Sequence, residues 1–101
     1  MAVANFNIPS SLSRFLSMDQ IAYLQSDRNY TFIYCPDGTR HLSCKTLLLL
    51  EADLPIEGFI RINRGVIINV VLISHYNRKN RLLNLSNGLS FVVARRCKMQ
   101  V

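Results

Sequence analysis

Between residues 58 and 101 the chain places Arg61, Arg64, Arg78, Lys79, Arg81, Arg95, Arg96 and Lys98, and no aspartate or glutamate. Residues 1–57 carry the opposite balance, four cations against six carboxylates. The net charge of +6 and the pI near 9.7 therefore belong to the C-terminal half. Guanidinium and ammonium groups gathered without acids repel one another until an anion neutralises them, and phosphate is the anion their donors fit best. For so small a basic domain the first partner to consider is a nucleic acid or an anionic membrane surface.

Other chemistry is poorly supplied. There is no Gly-rich phosphate loop, no HExxH and no GxSxG turn. The six acids all lie before residue 58 and show no pairing suited to acid–base work. Cys35, His41 and Cys44 lie near one another but lack the paired CxxC spacing of a zinc site. The cysteines, with Cys97, are odd in number and irregular in spacing, which fits reduced thiols in a cytoplasmic protein. The expectation is a non-enzyme with no metal, no cofactor and no small-molecule substrate. The longest nearly apolar run, Val66 to Ile73, is too short to cross a bilayer, and the first residues lack the pattern of a signal peptide. No membrane partner is expected.

The elements that must carry these cations are mostly strands. A length of 101 residues with half of them hydrophobic fits one folded domain and not a disordered tail. Period-two alternation predicts strands over Ile21–Gln25, Tyr30–Cys35, Arg40–Ser43, Phe59–Ile62, Val66–Asn69, Ser74–Asn77, Leu82–Leu85 and Leu89–Val93. Pro36-Asp37-Gly38-Thr39 supplies a turn, and Asn87-Gly88 is a strong hairpin signal. One helix is predicted from about Cys44 to Leu54, capped by Ser43 and stopped by Pro55 and Gly58. At roughly 100° per residue Leu47, Leu50, Glu51 and Leu54 share a side, Leu49 lies opposite and Leu48 on the flank. Leu48 and Leu49 thus form a candidate contact patch for a second copy or another protein.

Taking Asn87-Gly88 as a two-residue loop makes Leu82 face Val93, Arg81 face Ala94 and Asn80 face Arg95. That register gathers Arg81, Arg95 and Arg96 at the far end of the hairpin, where the loop bearing Arg78 and Lys79 also arrives. Five cations from two segments then form one phosphate-binding end.

The order of motifs resembles the LytTR family of bacterial DNA-binding domains. Residues 21–31, ending in Asn29-Tyr30-Thr31, resemble its opening "I-x-Y-I-E-A-x-x-N-Y-T". Thr46-Leu47, Leu50-Glu51 and Leu54-Pro55 match its helix "T-L-x-x-L-E-x-x-L-P". Residues 59–69 resemble "F-I-R-I-H-R-S-Y-L-V-N", and Asn87-Gly88 with residues 92–96 resembles "x-G-x-x-x-x-V-S-R-R". The likeness runs in order from about Arg14 to Lys98, and its boundaries imply an N-terminal segment, 1–13, outside a single domain, 14–101. It implies an all-β fold with one short helix, an elongated arrangement of small antiparallel sheets. It also implies a transcription regulator whose loops enter the DNA major groove at repeated sites, usually as two copies. The family's loops map to Asn29-Tyr30, Asn63-Arg64, Arg78–Arg81 and Arg95-Arg96. The usual His is Asn63 here, the usual Ser is Gly65, the Ser before the two arginines is Ala94, and the usual charged pair on the helix is Leu48-Leu49. With no receiver or sensor before it, the chain reads as a stand-alone module.

The combined expectation is sequence-specific binding of double-stranded DNA. Asn29, Tyr30, Asn63, Arg64, Arg81 and Arg95 are the candidates for base or groove contacts, because arginine forks fit guanine O6 and N7. Arg78, Lys79, Arg96 and Lys98 are the candidates for phosphates, which position without specifying. The rival is an interaction module that docks on another regulator through Leu48 and Leu49. Single-strand or RNA binding ranks last, because the C-terminal half interleaves few aromatics with its cations.

Overall fold

Alternating apolar and polar residues, punctuated by turn residues, build eight strands and one α-helix across residues 20–54 and 57–97, which the computed structural model describes. The strands are β1 (Tyr23–Asp27), β2 (Tyr30–Tyr34), β3 (Arg40–Ser43), β4 (Phe59–Asn63), β5 (Val66–Asn69), β6 (Ile73–Asn77), β7 (Leu82–Leu85) and β8 (Ser90–Val92). The helix α1 spans Leu47–Asp53. Five strands form one antiparallel sheet in the order β3-β2-β1-β5-β4, and β6-β7-β8 form a second.

The large sheet is covered on both faces. Leu24, Ile33 and Ile67 pack on one side against Leu47, Leu50 and Leu54 of the helix. Tyr23, Val66 and Ile68 pack on the other against Leu83, Leu85 and Val93 of the small sheet. Strand β5, between β1 and β4, is therefore buried at every position, which is why it reads as a continuous apolar run. Asn69 closes that run with its side chain satisfied: its Nδ2 donates to the Ile21 carbonyl at 2.8 Å and its Oδ1 accepts from Val71 N at 3.1 Å. The result is elongated, 40 × 25 × 23 Å, and is the mostly-β fold with one short helix that the sequence implies.

Two local expectations fail. The helix begins at Leu47, not Cys44, and Thr46, not Ser43, is its cap. Ser43 is the last residue of β3 and is buried, and its Oγ accepts from Lys45 N at 3.1 Å. That local bond turns the chain, and Thr46 Oγ1 then accepts from Leu49 N at 3.4 Å. The second failure is the register of β7 with β8. Leu82 faces Val92, Leu83 faces Phe91 and Asn84 faces Ser90, one residue away from the expected pairing. The loop holds three residues: Leu85 N donates to Leu89 O at 2.8 Å, Gly88 N to Leu85 O at 3.0 Å, and Gly88 takes φ +94°. Burial decides this. The observed register turns Leu83, Leu85, Phe91 and Val93 to the core, whereas the other would bring Ser90 and Val92 inward.

Candidate nucleic-acid interface

Four chain segments meet at one end of the molecule, tied by backbone and amide hydrogen bonds. Asp27 pairs with Tyr30, so Arg28-Asn29 is a two-residue turn at the end of β1. Because β1 runs antiparallel to β5, with Gln25 opposite Val66, that turn lies beside the β4–β5 turn. Ser26 N donates to Gly65 O at 2.8 Å across the gap. The β4–β5 turn is in turn tied to the small sheet, through Asn63 Nδ2 donating to the Val92 carbonyl at 2.8 Å. Ala94 N donates to Ile62 O at 2.8 Å, and Val93 N to Arg81 O at 2.8 Å. The chain then turns, with Cys97 N bonded to Ala94 O at 3.0 Å, so that Arg95 and Arg96 are the two central residues of a turn anchored on β4.

Arg78 and Lys79 lie in the β6–β7 loop, whose ends pair at Asn77 and Leu82, and Arg81 is tied to Val93. The backbone thus brings this loop and the Arg95-Arg96 turn to one end, though not through the expected facing pairs. Arg81 stands opposite Val93 and not Ala94, and Asn80 does not face Arg95. Asn29, Tyr30, Arg64, Arg78, Lys79, Arg95 and Arg96 are exposed, and Arg81 is partly so. Lys98 lies outside the described residues, as does the segment 1–13. None of Arg64, Arg78, Lys79, Arg81, Arg95 and Arg96 forms an ion pair among the described residues. Among the described residues no carboxylate answers their charge, which suits an anion-binding end. A cleft of about 340 Å³ runs between β4 and the 94–97 turn, lined by Arg61, Ile62, Asn63, Arg64, Ala94, Arg96 and Cys97.

Asn63 is more committed than its sequence position suggests. Besides the bond to Val92, its Oδ1 accepts from Gly65 N at 2.8 Å, leaving one amide hydrogen and one lone pair free. Among the described residues two that are not glycine hold left-handed backbone, Arg28 at φ +60° and Arg81 at φ +55°. Such a conformation costs an arginine roughly 1 kcal/mol, so these positions keep their side chains at the expense of stability. Arg28 is absent from the sequence-derived site. Counting charge by halves hid it in the acidic half beside Asp27, and only its place in a two-residue hairpin turn could have marked it. Burial pushes the thiol pKa of both Cys35 and Cys97 up, away from the reactive thiolate. The described residues contain no group of three His, Cys, Asp or Glu side chains able to hold a metal, and no helix long and apolar enough to cross a membrane.

The model of the LytTr DNA-binding domain family matches residues 12–101. The chain belongs to the LytTR family. A solved LytTr DNA-binding domain, from a protein described as a methyl-accepting/DNA response regulator of Bacillus cereus, superposes with a TM-score of 0.70 at 26% identity. That match covers 78% of this chain and 74% of the other. No curated protein matches. The protein is thus a DNA-binding domain of the kind found in transcriptional regulators, which points away from an enzyme. Within this LytTR domain the departure at Gly65 has a local reason. A Cβ there would lie 3.0 Å from Ser26 Oγ, so a larger residue would require that hydroxyl to give by a few tenths of an ångström. The departure at Leu48 and Leu49 leaves both side chains in solvent, 67% and 57% exposed.

Proposed function

We propose that this LytTR domain reads a repeated sequence in double-stranded DNA, two copies to a site, with the four-segment end entering the major groove. Arg64, Arg81 and Arg95 fork onto base edges, assisted by Asn29, Tyr30 and the remaining amide valences of Asn63. Arg78, Lys79, Arg96 and Lys98 hold phosphates and set the register of the protein on the duplex. The observation that carries this reading is the gathering, on one hydrogen-bonded end of the molecule, of cations from separate segments that have no ion pair among the described residues. Leu48 and Leu49 meet a second copy or a separate regulatory protein, a role supported by their exposure on the helix. The domain works in the cytoplasm as a non-catalytic regulator and needs no cofactor.

Selection of bound duplexes from a random DNA pool tests the reading. Enrichment of a motif present twice at fixed spacing supports it. Recovery of unenriched sequence at low salt overturns it and leaves the cations as a non-specific electrostatic patch.

A further inference from the structure

Among the described cations of the C-terminal half, Arg61 differs from the others in kind. Its guanidinium is turned inward onto three acceptors. Nη1 donates to Glu51 Oε1 of the helix at 2.9 Å, Nη2 to the Arg64 carbonyl at 2.7 Å, and Nε to the Asn63 carbonyl at 3.3 Å. Two consecutive carbonyls of the β4–β5 turn are thereby held by one planar group, which is itself fixed to α1. The next carbonyl, Gly65 O, is held by Ser26 N, and Gly65 N by Asn63 Oδ1. The 78–81 loop has its Arg81 carbonyl held by Val93 N but no guanidinium clamp. Its side-chain bonds, from Lys79 N to Asn77 Oδ1 and from Leu82 N to Asn80 Oδ1, are local and exposed.

The ion pair contributes little to folding. Its side chains are 28% and 41% exposed, and pairs in that setting are worth little. Its geometric effect is larger, because a carbonyl of the residue bearing the Arg64 side chain is fixed in direction by it. A base-reading side chain must be held within a fraction of an ångström to keep a two-point hydrogen bond.

We infer that Arg61 is a positioning residue for sequence reading. It does not touch DNA; it clamps the Asn63-Arg64 turn against α1 so that Arg64 meets the duplex already in place. This rests on the reading in which Arg64 contacts a base. Lysine cannot replace it, since an ammonium on a flexible stem keeps the charge but not the planar fork that serves three acceptors at once.

The test measures affinity of Arg61→Lys, Arg61→Met, Arg64→Ala, the Arg61→Lys/Arg64→Ala double variant and Glu51→Gln. Each is titrated with a selected site and a scrambled duplex at several salt concentrations, with thermal unfolding checked in parallel. Arg61→Lys is expected to lower the ratio of specific to non-specific affinity about tenfold, part of the worth of one two-point base contact. The salt slope and the non-specific affinity are expected to stay unchanged. In the Arg64→Ala background the same substitution is expected to have no further effect on that ratio. Glu51→Gln retains an acceptor and is expected to keep most of the specificity. A salt slope lowered by about one in Arg61→Met would make Arg61 a phosphate contact and overturn the clamp. Additive losses in the double variant would overturn it as well. If Arg64→Ala leaves specificity intact, the assignment of Arg64 to a base falls first, which separates that failure from failure of the clamp.

Discussion

At the scale of single residues the cations divide by what holds their backbone. Arg95 and Arg96 sit in a turn anchored on β4, whereas Arg78 and Lys79 sit in a loop whose side-chain hydrogen bonds are local, to Asn77 and Asn80. Arg95→Ala is expected to cost about 1–3 kcal/mol on the preferred site and much less on random DNA, because a base contact carries sequence information. Arg78→Ala is expected to weaken both duplexes equally and to lower the salt slope by about 1. Equal losses for Arg95→Ala would make it a phosphate clamp and move specificity to Arg64, Asn63 or the Arg28–Tyr30 turn. Arg81 adds a test that needs stability as well as binding. At φ +55° an alanine remains strained while a glycine does not, so Arg81→Gly is expected to be more stable than Arg81→Ala by about 1 kcal/mol. Both variants are expected to lose DNA affinity alike. Denaturant unfolding and a binding titration of the pair would show whether the left-handed arginine is kept for its side chain.

At the scale of elements, legibility followed the distance over which a signal acts. The Pro36–Thr39 turn and strand β3 were readable because one short stretch contains the whole instruction; Thr39 N and Oγ1 both donate to Asp37 Oδ1, at 3.0 and 2.7 Å. The buried helix stripe was readable because its period is local, and Leu47, Leu50 and Leu54 are indeed buried. The start of the helix was not, since Ser43 and Thr46 are both capping residues and only the pairing of Ser43 with Thr31 decides between them. Nor was the β7–β8 register, because Asn87-Gly88 suits loops of two or three residues and the choice lies with the packing of Phe91 and Val93 against the large sheet. Arg61 and Glu51 belong to different elements, so no spacing rule links them. The helix also supplies a prediction of its own. Leu49→Glu is expected to change stability by no more than about 0.5 kcal/mol, since Leu49 lies off the buried stripe. It is expected to weaken self-association or partner binding, measurable by sedimentation with and without DNA. Normal association by this variant would remove the helix face from the interface.

At the scale of the whole molecule the binding end is small and the long axis is 40 Å, comparable to one turn of B-DNA at about 34–36 Å. In the proposed reading one copy reaches a short stretch of groove, and a second would reach the same face of the duplex one turn further on. In that reading Arg61, held by Glu51, adds no contact, and the other cations at that end, base-reading and phosphate-holding together, neutralise the duplex. With about five to seven contacts per copy, the log–log salt slope for a single half-site is expected to be about −4 to −6. Two copies that bind as a unit to a full site are expected to double it. Inserting about half a helical turn between the half-sites, roughly 5 base pairs, rotates the second copy to the opposite face and removes any contact between the two. The slope for total binding would stay doubled, because the same phosphates are neutralised, while the cooperativity would be lost. Fluorescence titration of half-site, full-site and offset duplexes at several salt concentrations separates these terms. If cooperativity survives the half-turn insertion, the copies do not meet through a fixed surface. If it is absent from the natural spacing, two independent domains fill a repeated site by affinity alone.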